Sequence, residues 1–380
     1  MERNVQLPAP GIDARLSAKL VGVSFVGACA VVLLHAYLNS MPAAGKATAW
    51  FVLFAGWILP TFAVPVFFAV SGYLLGVKSA NGTADGWYGR AVGKRVRTLL
   101  VPYFVWCTAF AATVLPFTVL GNHLAGRAPT GNTCLREPLL SAWNLLRIYG
   151  GGLRGEPIDG PLWYVRNLFL LVLLSPVFGK LAAGRRRGAA YLAAACALFF
   201  AHDWMPRAWW PYFKTGILGL QGFLFFPLGM YLARHPVPAG AFRRTRAVLP
   251  AAWLAACLLY VFLRLHTGAG WMAAKSLLAK AATVLGAGAV WVSYDFLPGA
   301  RRLARLAVAK DSFFVYACHI GLMTTLTCDR AQQLLATRLH VPVAGIFLLR
   351  FAVPLGGALL LAEALKRWFP RAYALLTGGR

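Results

Sequence analysis

The chain alternates long apolar runs with short polar connections. A helix needs about 20 mainly apolar residues to cross the hydrocarbon of a bilayer, because its backbone polar groups must be satisfied within the segment. Ten runs meet this criterion and predict membrane-spanning helices. Their bounds are roughly 17–38, 50–76, 97–120, 161–180, 189–204, 214–234, 247–265, 276–297, 311–328 and 342–364. The pattern therefore predicts an all-α, polytopic transmembrane bundle.

The composition agrees with a membrane protein. Hydrophobic residues fill 59% of the 380 positions and charged residues only 13%, about half the charged share of an average soluble domain. A net charge of +27 would suggest nucleic-acid binding in a soluble protein, but the basic residues cluster between apolar runs. Such clustering is typical of membrane topology signals. We therefore expect contact with membrane lipids and no nucleic-acid partner.

The distribution of Lys and Arg predicts how the helices are oriented. With the amino terminus in the cytoplasm, the termini and even-numbered connections hold 24 of the 38 basic residues, and the odd-numbered connections hold 12. Cytoplasmic connections carry the positive excess in membrane proteins, so both termini are expected at the cytoplasmic face. The predicted regions are a cytoplasmic segment 1–16, a membrane domain 17–365 and a cytoplasmic tail 366–380.

Ionisable side chains inside a hydrocarbon span are costly, so each is a candidate for function. The predicted spans contain His35, Arg166, His319 and Arg350, whereas no Asp or Glu lies near the middle of a span. This pattern disfavours a proton-coupled transporter, which usually needs a buried carboxylate. Snorkelling is a sufficient explanation for Arg350. No paired metal-ligand spacing appears, and no metal is expected.

His35 lies near the outer end of the first predicted span. One interpretation is a histidine that is hydrogen-bonded to a neighbouring helix. The other is a general base, because imidazole titrates near neutrality and can take a proton from an attacking hydroxyl. The residue alone leaves both interpretations open.

Five further stretches add to the picture through their order and spacing. They are Val64–Leu74, Lys94–Tyr103, Pro161–Arg166, Phe225–Met230 and Ser312–His319. With the ten-span frame, they resemble the bacterial integral-membrane acyltransferase type 3 family over about residues 16–365. The resemblance implies transfer of an acyl group, often acetyl or succinyl, from cytoplasmic acyl-CoA to a hydroxyl of a carbohydrate or related acceptor. It also implies that His35 is the catalytic residue and that the protein lies in the inner membrane.

The sequence departs from this family in the first span. The family commonly has an arginine eleven positions before the histidine and an acidic residue three positions before that arginine. Here those positions hold Ser24 and Val21. The positive charge of that arginine is supplied by Lys19, by Arg15 or by the connection after the second span. Otherwise the chain binds its acyl donor in a different way.

Candidate donor contacts lie near the cytoplasmic side. Arg95 and Arg97 stand at a helix start, where positive charge and free backbone amides favour the phosphates of acyl-CoA. Contact with lipid headgroups explains them equally well. Ser71 either lines a donor channel or marks close packing of two helices. No bound cofactor is expected; acyl-CoA, most simply acetyl-CoA, is the expected co-substrate.

Candidate acceptor contacts lie at the outer side, at the level of His35. Trp163 and Tyr164 form either an aromatic belt at the membrane interface or a platform on which a sugar stacks. Arg166 can donate to an oxyanion or a hydroxyl. His319 and Tyr316, one turn apart, are either catalytic or donor-contacting, or they serve interhelical hydrogen bonds.

A non-enzymatic carrier or flippase for a glycan or a lipid-linked precursor is the alternative function. A carrier of this kind should show carboxylates near the middle of the membrane or interrupted helices in two matching halves. Neither feature is convincing in the sequence.

Overall fold

The computed structural model describes residues 13–37, 45–81, 86–124, 126, 141–151, 155–237 and 245–379. All regular secondary structure in these ranges is helical, as the apolar pattern predicts. The α-helices are α1 (Ala14–Ala36), α2 (Lys46–Val52), α3 (Ala63–Asn81), α4 (Trp87–Arg95), α5 (Val101–Leu124), α6 (Ala142–Gly150), α7 (Trp163–Leu173), α8 (Ser175–Ala183), α9 (Arg185–Ala201), α10 (Trp210–Lys214), α11 (Leu220–Arg234), α12 (Val248–His266), α13 (Met272–Ser293), α14 (Ala300–Arg305), α15 (Ser312–Cys318), α16 (Asp329–Thr337), α17 (Val343–Trp368) and α18 (Pro370–Thr377).

Each of the ten predicted spans coincides with helical residues, but the count of ten is not confirmed. Six continuous helical segments in the described residues are long and apolar enough to cross a membrane. A seventh arises if α7 and α8, which meet at a bend of 62°, count as one span. The predicted fifth and sixth spans are the 17-residue α9 and the 15-residue α11. At about 1.5 Å per residue, such helices are shorter than the hydrocarbon is thick.

Helix α1 lies at the centre of the bundle and packs against α3, α14, α15 and α17. Its small residues permit this central position; Ala28, for example, is fully buried. We call the end of the bundle where α1 begins the near end, and the end where α1 finishes the far end. The charge distribution predicts that the near end faces the cytoplasm.

Helices α3 and α11 pack backbone against backbone. A Cβ atom built on Gly72 would lie 1.9 Å from the carbonyl oxygen of Phe226, and one on Gly229 would lie 2.0 Å from that of Ala69. Any side chain at these glycines would push the helices apart. Close packing of small residues is a common basis of helix association in membranes, and it explains why Gly72 follows Ser71 in the second predicted span.

A buried ion pair closes the near end around α1. Lys19 is only 6% exposed, and its Nζ lies 2.6 Å from Oδ2 of Asp295, just after α13. The same ammonium group lies 4.1 Å from the ring centroid of Trp291. Arg15 approaches the other oxygen of Asp295 at 3.6 Å. Two of the cations that could replace the missing family arginine are therefore paired with a carboxylate of this chain.

Arg350 also differs from its sequence-based interpretation. It does not snorkel, because it is 3% exposed. Its Nε donates to the carbonyl oxygen of Ala36 at 3.2 Å, and its Nη1 lies 2.6 Å from Asp329 and 3.1 Å from Gln332. The guanidinium group therefore joins α16 and α17 to the last residue of α1.

Candidate active site

Two histidines meet at the far end of α1. His35, in the last turn of α1, and His319, directly after α15, have ring centroids 5.3 Å apart. They are 284 positions apart in the sequence, so only the packing of α15 against α1 brings them together. The structure thus places the two intramembrane histidines of the sequence analysis side by side.

The hydrogen bonds of His319 determine which of its nitrogens is free. Its Nδ1 lies 2.6 Å from the carbonyl oxygen of Tyr316. A carbonyl only accepts, so Nδ1 carries the proton and Nε2 presents a lone pair. Nε2 is fully buried and has no hydrogen-bond partner among the described residues. A buried polar atom without a partner is costly and marks a candidate for chemistry.

The backbone widens into a π-helix where His319 begins. This segment, His319–Cys328, is one of three π-helical segments in the described residues; the others are Leu53–Ile58 and Val96–Leu100. The segment Leu53–Ile58 contributes Trp57 to the cavity described next, and the segment Val96–Leu100 directly follows Arg95. Wide turns of this kind often occur at functional sites.

A cavity of 640 Å³ at the far end is lined by His35. Its size falls within the range typical of small-molecule sites. Aromatic side chains form much of its wall: Tyr37 and Trp57 have ring centroids 5.4 Å apart, and the indole nitrogen of Trp57 donates to the hydroxyl of Tyr260 at 2.9 Å. Trp163 lines the same cavity, as expected for a side chain at the level of His35.

A polar cluster also lines the cavity. Asp203, just after α9, lies 2.7 Å from Nζ of Lys280 and 3.2 Å from Nε2 of His202, and it accepts a hydrogen bond from Ser276. All four residues line the cavity. Sequence reasoning missed this cluster, although the adjacent His202 and Asp203 at the end of the fifth predicted span were a visible signal.

Tyr316 and Tyr164 connect the cavity with the interior of the bundle. The hydroxyl of Tyr316 donates to the carbonyl oxygen of Pro161, and its ring lies 5.8 Å from that of Tyr164. Tyr164 in turn approaches Oγ of Ser71 at 3.4 Å and interacts electrostatically with Arg95. The structure therefore groups Tyr164 with the predicted donor contacts and separates it from Trp163.

The two predicted donor-binding arginines differ in exposure. Arg95 is half-buried beside Tyr164, whereas Arg97, in the next turn, is exposed. Both lie at the near end, where Lys78 and Lys94 add further positive charge. The near end thus holds a cationic surface, and Arg95 is its partly buried member.

Arg166 binds the protein itself. Its Nη1 donates to the carbonyl oxygens of Gly150 and Gly155 at 2.7 and 3.0 Å, and its Nη2 donates to that of Thr215 at 2.5 Å. Its Nε donates to Asn167 at 3.1 Å. The side chain does not line the far-end cavity. Its contacts tie together the loops beside α7.

Acidic residues beside the far end are few. Glu156 lines the cavity; burial raises the pKa of its carboxyl group, and the charge of Arg166 opposes that rise. No group of three or more His, Cys, Asp or Glu side chains suitable for a metal ion occurs within the ranges given above. The side chains that line the cavity supply imidazole, hydroxyl, carboxyl and cationic groups.

Comparisons with known proteins identify the family. The chain is 25% identical over 321 residues to the succinoglycan biosynthesis protein ExoH of Rhizobium meliloti (strain 1021). The aligned region covers 82% of this chain and 80% of that protein. No solved structure matches. A family profile described as an acyltransferase domain matches residues 23–361, from the middle of α1 to the middle of α17. The chain therefore belongs to the acyltransferase type 3 family and is an acyltransferase that transfers groups other than amino-acyl groups.

Proposed function

We propose that the protein is a multi-pass inner-membrane enzyme that moves an acyl group, acetyl or succinyl, from acyl-CoA to a hydroxyl of a carbohydrate of the cell envelope. The observation that carries this proposal is the pair His35 and His319 beside the far-end cavity, where Nε2 of His319 has no hydrogen-bond partner in the described part of the chain. Family membership and the relative named for succinoglycan biosynthesis support a carbohydrate acceptor. Since the family consists of enzymes, the carrier alternative is not retained.

The far-end cavity suits the acceptor. Sugars stack on indole and phenol rings, and Trp57, Tyr37 and Trp163 supply such rings around His35. A hydroxyl of a sugar stacked there would lie at the imidazole. A lipid-linked glycan has the same access, because the cavity opens among the ends of membrane helices.

The near end suits the donor. Arg95 and Arg97 would hold the phosphates of acyl-CoA, and the line of Ser71, Tyr164 and Tyr316 leads from there toward the histidine pair. Lys19 does not compete for this role, because Asp295 neutralises it.

In the proposed reaction His35 takes the proton of the acceptor hydroxyl as its oxygen attacks the carbonyl carbon of the thioester. The new C–O bond forms a tetrahedral intermediate, and the C–S bond then breaks. The leaving thiolate takes the proton from His35 and departs as CoA. General-base help of this kind contributes about 10²- to 10⁴-fold to a rate. We expect His319, whose ring centroid lies 5.3 Å from that of His35, to stabilise the imidazolium of His35 by accepting a hydrogen bond at Nε2.

The test is acyl transfer by purified protein in lipid nanodiscs. Release of CoA thiol is followed with acetyl-CoA or succinyl-CoA as donor and cell-envelope polysaccharide as acceptor. His35→Ala should abolish transfer, since it removes the proposed general base. His266→Ala is the matched control, because His266 is an exposed histidine at the far end that does not line the cavity. Full activity of His35→Ala would overturn the proposal.

A further inference from the structure

Basic residues at the far end run against the expected distribution. The positive-inside rule depletes Lys and Arg from short connections on the outer side of a membrane. Yet the predicted outer connections before the sixth and eighth spans, with their flanking turns, contain five. They are Arg207, Lys214, Arg264, Lys275 and Lys280. Four of these five, all except Arg207, line the cavity that contains His35.

The partners of these four residues leave most of their charge uncompensated. Lys280 is paired with Asp203 at 2.7 Å. Lys275 donates only to backbone carbonyl oxygens, those of Thr267 and Gly268, at 2.9 and 3.0 Å. Among the described residues, neither Lys275 nor Lys214 nor Arg264 forms an ion pair with a carboxylate.

The remaining charges of the cavity do not reverse this balance. Among the described residues, the acidic ones in its lining are Asp203, which Lys280, His202 and Ser276 already surround, and Glu156. Four cationic side chains thus face two carboxyl groups. A cleft of one sign with low-dielectric walls concentrates ions of the opposite sign. Arg264 and Lys214 are exposed at its rim, where a ligand would meet them first.

We propose that the cavity selects an acidic saccharide, in which a carboxylate or phosphate group accompanies the hydroxyl that becomes acylated. Arg264 and Lys214 bind the acid group at the rim, Lys275 adds its charge deeper in the cavity, and the aromatic wall holds the sugar at His35. This inference rests on the proposed function and names the class of its acceptor. The acid group has a place separate from the donor phosphates, which the near end would hold.

The test measures binding to the protein in nanodiscs of the zwitterionic lipid phosphatidylcholine. The probes are a trisaccharide of galacturonic acid, the same trisaccharide with its carboxyl groups reduced to alcohols, and inorganic phosphate as a competitor. The variants are Arg264→Gln combined with Lys214→Gln, and Arg207→Gln as the matched control. Arg207 belongs to the same connections but lies outside the cavity lining.

The acid trisaccharide should bind the wild type more tightly than the reduced one, and phosphate should compete with it. The double variant should weaken that binding about tenfold, since an exposed charge contact contributes up to about 1 kcal/mol. The Arg207 variant should bind as the wild type does. Equal binding of the acid and reduced trisaccharides, or of wild type and double variant, overturns the inference. Loss of binding in nanodiscs of anionic phosphatidylglycerol assigns the cations to lipid headgroups and also overturns it.

The two proposals fail in different ways. Binding of the acid trisaccharide to His35→Ala should equal that to the wild type, because the imidazole does not hold the acid group. If the protein binds acid saccharides in this manner but transfers no acyl group to any hydroxyl, the proposed function fails and the acidic site stands. If it acylates neutral and acidic acceptors equally well, the function stands and the acidic site fails.

Discussion

The two ends of α1 differ in whether their buried polar groups have partners. At the near end, Lys19 is buried against Trp291 and paired with Asp295. At the far end, His35 borders a cavity of 640 Å³, and Nε2 of the adjacent His319 has no partner among the described residues. A buried charge with a partner stabilises one packing arrangement of helices. A buried nitrogen without one costs free energy, and a hydrogen-bond donor on a substrate would offset that cost.

The largest effect that this comparison predicts concerns His319. His319→Gln removes the imidazole whose ring centroid lies 5.3 Å from that of His35, and the rate of acyl transfer should fall about 10³-fold. The double variant His35→Gln with His319→Gln should be no slower than the slower single variant, because groups that act as a unit lose their effect together. Lys19→Met, the matched change at the other end of α1, should keep kcat within about threefold.

The measurement is the initial rate of CoA thiol release by protein that elutes as a single species in size-exclusion chromatography. A strictly multiplicative loss in the double histidine variant would show that the two imidazoles act independently, which would contradict their proposed role as a pair.

Arg350 should have the next largest effect, through the position of α1. Arg350→Gln removes the hydrogen bond to the carbonyl oxygen of Ala36, the residue after His35, and the ion pair with Asp329. Misplacement of a reacting group by about 1 Å costs about 10²-fold in rate, and kcat should fall by that order while KM for the donor stays unchanged.

Arg350→Lys restores the ion pair without the fixed geometry of the guanidinium group, so its rate should lie between those of the wild type and Arg350→Gln. A rise in donor KM with normal kcat would contradict a positioning role.

The near end should respond in stability instead of rate. Asp295→Asn leaves the buried ammonium group of Lys19 without its carboxylate, and we expect a loss of about 2–3 kcal/mol in the free energy of unfolding. The double variant Asp295→Asn with Lys19→Met should regain most of that loss, because no buried charge remains unpaired. Denaturation of the nanodisc-free protein by increasing mole fractions of SDS measures both. An additive loss in the double variant would show that the pair contributes nothing by its pairing.

Ser71 should have the smallest effect. Its contact with the hydroxyl of Tyr164 is long, at 3.4 Å, and the net value of such a bond is at most about 1 kcal/mol. Ser71→Ala should raise the KM for acyl-CoA by no more than about fivefold. Ser71→Leu, which places a larger side chain against Tyr164 on the proposed donor route, should raise it further. Unchanged donor kinetics in Ser71→Leu would exclude this route for the donor.

The sequence predicted the helices well because a membrane-embedded helix requires a continuous run of apolar residues, which is visible without any knowledge of its neighbours. All ten predicted spans coincide largely with helical residues. Both histidines of the site were candidates from the sequence, because an ionisable side chain within a span costs free energy. The length of α11 was less predictable, since the apolar run extends back to Lys214, but Lys214 ends the short helix α10 and residues 215–219 form a turn. Composition over a window does not register such a break.

The cavity was much harder to predict, because its residues converge from distant parts of the chain. Trp57 and Tyr260 are hydrogen-bonded across 203 positions, and each alone resembles an ordinary aromatic residue of a span. Arg350 was misinterpreted for the same reason: its partners Ala36 and Asp329 lie in other helices. A basic residue near a span end suggests snorkelling unless a buried acceptor is known.

The wide turn that begins at His319 has a consequence for comparing relatives of this protein. A π-helical segment places one more residue in a turn than an α-helix does, so the residues after Cys328 are rotated and shifted relative to those before His319. A relative with a regular α-helix here should lack one residue in the middle of an apolar segment. An alignment that forbids gaps within helices would then pair Asp329, the partner of Arg350, with the wrong position, because α16 continues directly from the π-helical segment.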